Sequence, residues 1–171
     1  MKLKALCITV SLLATPGVAL AQSPLDQFKK AAGDAGKATL EKKINAKLKT
    51  EASKNQCSFK SGTDTLEPGC DQKLKKLVSA LVDAKKQLDA GGVKNYKFEV
   101  SGHTDSVGDA AKNKELSQKR AAVIVKELVA RGISSGEILA VGRGSEQMLV
   151  KPDDTPAKKA KNRRYEIQVR F

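Results

Sequence analysis

The chain has 171 residues, with 32 Lys and Arg against 19 Asp and Glu and a net charge of +13. A surface that positive favours polyanions: nucleic acid, lipopolysaccharide or the carboxylate-rich cell wall. Trp is absent and aromatics make up only 4% of the residues, so there is no evident stacking platform for bases, and a single histidine argues against a zinc hydrolase.

Lys2 and Lys4 form a short positive head, and Ala5 to Leu13 is an almost unbroken apolar run. Pro16 and Gly17 break it before the small residues of Ala19-Leu20-Ala21. Residues 1–21 therefore read as a cleaved signal peptide that exports the chain to the periplasm, with the cut after Ala21. The run is too short to span a bilayer permanently, and a retained N-terminal anchor is the lesser alternative. Cys7 lies inside it rather than at the cut, which argues against a lipid anchor. In an exported protein the cell wall and lipopolysaccharide rank above nucleic acid as partners. The remaining residues, about 150, suffice for one domain with a real core.

Residues 22–55 read as a basic, partly helical leader. Leu40, Ile44 and Leu48 stand four apart with lysines between them, a weak helical stripe over 39–53. Such a helix either lies on an anionic surface or partner, or is a solvated spacer. The thinness of the stripe favours the spacer.

The pattern becomes globular from residue 56. Cys57 to Lys60, holding Phe59, reads as a strand, and a turn-rich passage follows to Gly69. Cys57 and Cys70, an isolated pair in an oxidising compartment, read as a disulfide; two buried thiols are the alternative. Leu74, Leu77, Leu81 and Leu88 recur at helical spacing until Gly91-Gly92. Tyr96, Phe98 and Val100 alternate with Lys97 and Glu99 as in a half-buried strand. A loop at 102–108 leads to a helix over about 110–131, stopped by Gly132. Residues 137–141 read as a further strand, 143–161 as a polar loop, and Tyr165 to Phe171 as the last strand. The order β-α-β-α-β-β predicts an α/β two-layer sandwich, a mixed four-stranded sheet with helices on one face.

Chemistry can sit first in the loop Gly102-His103-Thr104-Asp105-Ser106-Val107-Gly108. It joins a strand to a helix, where backbone amides can receive an anion and Asp105 an ammonium. The plain alternative is a connection with an Asp or Ser helix cap. In the helix that follows, Asn113, Ser117 and Arg120 share one face, and Arg120 lies in an apolar row with Leu116 and Ile124. A guanidinium there needs an acid or a ligand. It is either a structural ion pair with Asp105 or half of a site in which Asp105 takes an ammonium and Arg120 a carboxylate. Asn162-Arg163-Arg164 before the last strand is by itself a weak signal.

Taken together, Phe98 to Gly108, Asn113, Leu116-Ser117, Arg120-Ala121, Gly142 to Glu146 and Asn162-Arg163-Arg164 resemble the OmpA C-terminal domain family. That family includes the peptidoglycan-associated lipoprotein and the flagellar stator protein MotB. The resemblance covers residues 56–171 and implies a mixed sheet with helices packed on it. It further implies non-covalent binding of peptidoglycan through the meso-diaminopimelate residue of the stem peptide, with no cofactor. Asp105 and Arg120 match the residues that grip diaminopimelate. Thr104, Asn113, Leu116, Ser117, Arg163 and Arg164 match the surrounding motifs. Met148-Leu149-Val150 stands where a Pro is usual and Tyr165 replaces a common Val; these departures bear on loop shape, not on the grip. No barrel sequence precedes the domain, so the expected counterpart is the periplasmic half alone.

Two other readings carry less. His103 and Asp105 suggest acid–base work, but no Ser or Cys nucleophile motif accompanies them, so a cell-wall hydrolase is disfavoured and His103 reads as a structural hydrogen-bonding residue. The alternating last strand looks like the closing strand of an outer-membrane barrel, yet the repeated strands of about ten residues that a barrel requires are missing. Association with the outer membrane or an envelope protein through the basic leader stays open.

Overall fold

The computed structural model describes residues 24–171, with side chains from residue 33. The expected signal peptide at 1–21 lies outside the described residues. The elements are α1 (Pro24–Lys54), α2 (Asp71–Ala90), β1 (Lys97–His103), α3 (Ala110–Ala130), β2 (Ile138–Gly144), α4 (Pro156–Asn162) and β3 (Tyr165–Arg170). Strand order is β2-β1-β3, with β1 parallel to β2 and antiparallel to β3. No helix among the described residues is long and apolar enough to cross a membrane.

Strand alternation divides the sheet into two faces. Phe98 and Val100 of β1 register with Ile138 and Ala140 of β2 and with Val169 and Ile167 of β3, forming the apolar face. Leu74, Leu77, Leu81 and Leu88 of α2 and Ile124 and Leu128 of α3 complete the same core. Gly102 and Gly142 continue the row because α3 crosses them at backbone contact. A Cβ on Gly102 would sit 2.3 Å from the Ser117 carbonyl oxygen, and one on Gly142 2.6 Å from the Gln118 nitrogen. The opposite face of β1 carries Glu99, Ser101 and His103, all buried.

Helix α1 departs from the solvated spacer that its thin stripe suggested. Ile44, Leu48 and Ala52 are buried in the core and Leu40 packs against it. Burying Ile44 and Leu48 contributes about 1.5–3 kcal/mol each, which is what docks the helix. Three apolar residues suffice because a leucine-rich α2 and the edge of β3 lie beneath them.

Among the described residues the sheet has three strands, not the four expected. Residues 57–60 form only an isolated bridge, Phe59 with Leu66. The β3 edge, where a fourth strand would pair, is occupied by side-chain amides. Asn45 Nδ2 donates to Val169 O (3.1 Å) and its Oδ1 accepts from Val169 N (2.7 Å). Gln56 Nε2 donates to Tyr165 O (2.7 Å) and its Oε1 accepts from Tyr165 N (3.1 Å). The β2 edge is closed in the same way, with Gln118 bridging Ala140 O and Gly142 N. Each amide satisfies one donor and one acceptor, as a neighbouring strand would.

The segment expected as a polar loop holds α4. Thr155 caps it, accepting from Lys158 N at 3.3 Å, and Pro156 fits the first turn, where no amide donor is needed. Cys57 and Cys70, expected to be bonded, are buried neighbouring free thiols, with Cys57 Sγ 3.9 Å from the Cys70 carbonyl oxygen. Burial, reinforced by Cys70, pushes the Cys57 thiol up to about 12.

Candidate functional site

Residues 104–109 run from the end of β1 to the start of α3. Asp109 caps the helix, accepting from Lys112 N at 2.9 Å. The Thr104 amide donates to Gly144 O (2.9 Å), anchoring the loop to the end of β2. Asn113 Nδ2 reaches back from the first turn of α3 to Val107 O (2.9 Å) and fixes the loop from the other side. Asp105 is thereby presented with one carboxylate oxygen accepting from Val107 N (3.2 Å) and the other paired with Arg163 Nη1 (2.7 Å).

Facing this loop is a cavity of about 740 Å³. Thr104, Asp105, Asn113, Leu116, Arg120 and Arg163 line one part of it, and Ser58, Phe59, Gly62 and Glu67 the other. The Arg120 guanidinium lies over the Phe59 ring, 5.1 Å from its centroid, and Nε donates to Thr63 O (2.9 Å). Its ion-pair partner is not Asp105, which Arg163 has taken. No carboxylate among the described residues comes within pairing distance of Arg120. Burial, and then the neighbouring Arg163 charge, hold its proton affinity below the usual guanidinium value. Thr104 Oγ1 is buried and has no hydrogen-bond partner among the described residues.

Six of the eight binding residues expected from the sequence therefore line one cavity. Two do not. Ser117 is fully buried on the inner side of α3, where its hydroxyl donates to Lys114 O (2.8 Å) and accepts from Gly144 N (2.9 Å). Its task is to join α3 to the end of β2. Arg164 lies beside the polar sheet face, bonded to Glu166 and to Gln147 O, whereas Arg163, the residue that ends α4, turns to Asp105. His103 lies on that same face, 2% exposed, with Nε2 3.3 Å from Ser101 Oγ. Burial, with Arg164 adding to it, pushes His103 down to about 4.

Sequence reasoning missed Phe59 as the platform under Arg120, and Thr63 as its hydrogen-bond acceptor. Both lie 57 or more residues away in the chain, and no periodicity connects them to α3. Among the described residues there is no cluster of three or more His, Cys, Asp or Glu placed to hold a metal ion.

The sequence profile of the OmpA family matches residues 58–163. The chain belongs to the OmpA family. It is 46% identical over 71 residues to outer membrane porin F of Pseudomonas fluorescens, covering 42% of this chain and 22% of that protein. It is 41% identical over 70 residues to the peptidoglycan-binding protein ArfA of Mycobacterium tuberculosis, covering 41% of this chain and 21% of that protein. The chain thus spans about a fifth of the length of these curated relatives. The fold is also that of the peptidoglycan-associated lipoprotein from Burkholderia pseudomallei, with a TM-score of 0.54 at 22% identity over 70% of this chain and 93% of the other. The OmpA-like mixed sheet with helices packed on it is therefore present, built here on three strands.

Proposed function

We propose that this OmpA-family chain binds peptidoglycan non-covalently and without turnover, gripping the diaminopimelate residue of the stem peptide in the cavity between residues 58–67 and 104–120. The observation that carries this reading is Arg120, a half-buried cation facing the cavity with a carbonyl and an aromatic ring as neighbours and no carboxylate on it. A buried cation in that condition gains from an incoming carboxylate, which guanidinium binds bidentately. Asp105 supplies the complementary acceptor for an ammonium. A carboxylate has about four lone-pair sites, so its bonds to Val107 N and Arg163 leave room for a further donor. The unpartnered Thr104 hydroxyl offers a further polar contact. An amino-acid end group carries both charges a few ångströms apart.

The absence of turnover in this proposal rests on His103, which is buried on the far sheet face and held neutral, away from the cavity serines Ser58 and Ser61. The proposed location is the periplasm, in association with the outer membrane. There, a thiol oxidant would join Cys57 to Cys70 and close the loop that carries Phe59 and Thr63. Free-thiol titration of the exported protein with and without reductant checks that bond.

Co-sedimentation with purified sacculi tests the binding reading. Each charge-assisted contact contributes about 1.5–3 kcal/mol, so Asp105→Ala and Arg120→Ala should each weaken binding about tenfold or more. Unchanged pelleting of both folded variants would overturn the specific site and leave the general positive charge as the cause of adhesion.

A further inference from the structure

The segment between β2 and β3 contains a buried carboxylate that the cavity does not use directly. Asp153 is 5% exposed, and its side chain bonds across to a different loop. Oδ2 accepts from Ser106 N (2.9 Å) and from Asn162 Nδ2 (3.1 Å), while Oδ1 accepts from the Ser106 hydroxyl. Asn162, fully buried, completes the junction. Its Oδ1 accepts from Leu149 N (2.8 Å) and Val150 N (3.1 Å), and Nδ2 donates also to Val150 O (3.0 Å). Every donor and acceptor of the Asn162 amide is thus in use.

Ser106 follows Asp105 and Asn162 precedes Arg163. The junction therefore seizes the chain one residue away from each member of the Asp105–Arg163 pair. We propose that Asp153 is a positioning residue for the cavity, setting the spacing of Asp105 and Arg163 through Ser106 and Asn162 without touching the ligand. This rests on the binding reading above and deepens it. The Ser106 hydroxyl and amide hold the Asp153 carboxyl down at about 2, so the acceptor stays ionised across the range in which the wall is bound. Small displacements of a charged pair matter because contact strength depends on placing donor and acceptor within a few tenths of an ångström.

The test uses calorimetric binding of meso-diaminopimelate and pelleting with sacculi, for wild type, Asp153→Ala, Asp153→Asn and Ser106→Ala, each checked for its fold by circular dichroism. Asp153→Ala should bind about tenfold more weakly. Asp153→Asn should stay within about threefold of wild type, because its carbonyl keeps both amide donors and its NH₂ group donates to the Ser106 hydroxyl. That rescue separates positioning from charge. An Asn variant as weak as the Ala variant would overturn the proposal, as would a folded Ala variant with wild-type affinity. If Asp153→Ala does not fold, Ser106→Ala decides: exposed Ser106 loses only its hydroxyl bond, binding should weaken about threefold, and wild-type affinity would overturn the proposal. Wild-type binding by Asp105→Ala and Arg120→Ala marks failure of the binding reading itself. Their loss of binding beside an unaffected Asp153→Ala marks failure of the positioning role alone.

Discussion

The two faces of the sheet hold the same central strand by different physics. On the helix face, Phe98, Val100 and Gly102 meet α2 and α3 through close packing, and the tolerance at Gly102 is less than one carbon atom. On the other face, Glu99, Ser101 and His103 are buried under charged and polar side chains. Arg143 bonds to Glu99 at 2.7 Å, Gln168 bonds to it at 3.1 Å, and Arg164 and Glu166 pair beside His103. One face is governed by shape and answers to volume. The other is governed by charge and answers to pH. Both lead to the cavity, since β1 ends in the loop that presents Asp105.

Adding volume to the packed face should have the largest effect. Gly102→Ala drives a methyl into the α3 backbone at Ser117, which nothing flexible can relieve, and should destabilise the fold by about 3 kcal/mol. Because α3 carries Asn113, Leu116 and Arg120, binding should fall with it. Urea unfolding and sacculus pelleting of the variant check both effects.

Of the two faces, only the polar one should answer to acid. Folded His103 takes up its proton only near pH 4, whereas the unfolded chain does so near its ordinary 6.5. Protonation therefore favours the unfolded state between those values. Stability should be full above about pH 6.5 and fall by up to about 3 kcal/mol as pH drops towards 4. The groups facing His103 are Arg164, Glu166, Arg143 and Glu99, so the carboxylates soften the penalty that burial and the arginines impose. Denaturant midpoints of wild type and His103→Gln across that range give the measurement, and a flat difference would contradict it.

A smaller loss should follow from Glu99→Ala, about 2 kcal/mol at neutral pH, since it strands the Arg143 and Gln168 donors. Against the opposing effect of burial, Arg143 and Gln168 hold the Glu99 carboxyl below its ordinary value, so part of this contribution should be lost as pH falls through the folded value. The smallest stability change belongs to the strand edges. Gln118→Leu should destabilise by about 1 kcal/mol while opening the β2 edge to pairing between copies, visible as dimer in sedimentation velocity.

The elements of this fold were legible where local pattern suffices. The leucines of α2 and the alternation of β1 and β3 each follow from a period of a few residues. The fourth strand was misread because Cys57 to Lys60 has strand-like composition, while Gln56 and Asn45, neither of them conspicuous, hold the edge that it would have joined. Helix α4 was hidden because seven residues rich in lysine carry no apolar stripe; its signal was the Thr155-Pro156 start. In the site, the spacing expected to put Asn113, Ser117 and Arg120 on one face placed Asn113 and Arg120 at the cavity, whereas Ser117 turned inward to the end of β2. Arg164 was misplaced because the motif straddles the end of α4, where Arg163 turns to Asp105 and Arg164 to Glu166.

The sequence by itself determined which residues carry charge and how they are spaced along each helix and strand, because those depend on periods shorter than ten residues. Tertiary structure decided the partners. Arg163 rather than Arg120 pairs with Asp105, Phe59 lies beneath Arg120, and Asp153 ties Ser106 to Asn162. Each of these contacts joins residues brought together only when the sheet forms and α3 closes on its glycines. Until then Arg120 is an ordinary solvated cation; afterwards it is a half-buried charge facing Asp105's loop across a cavity.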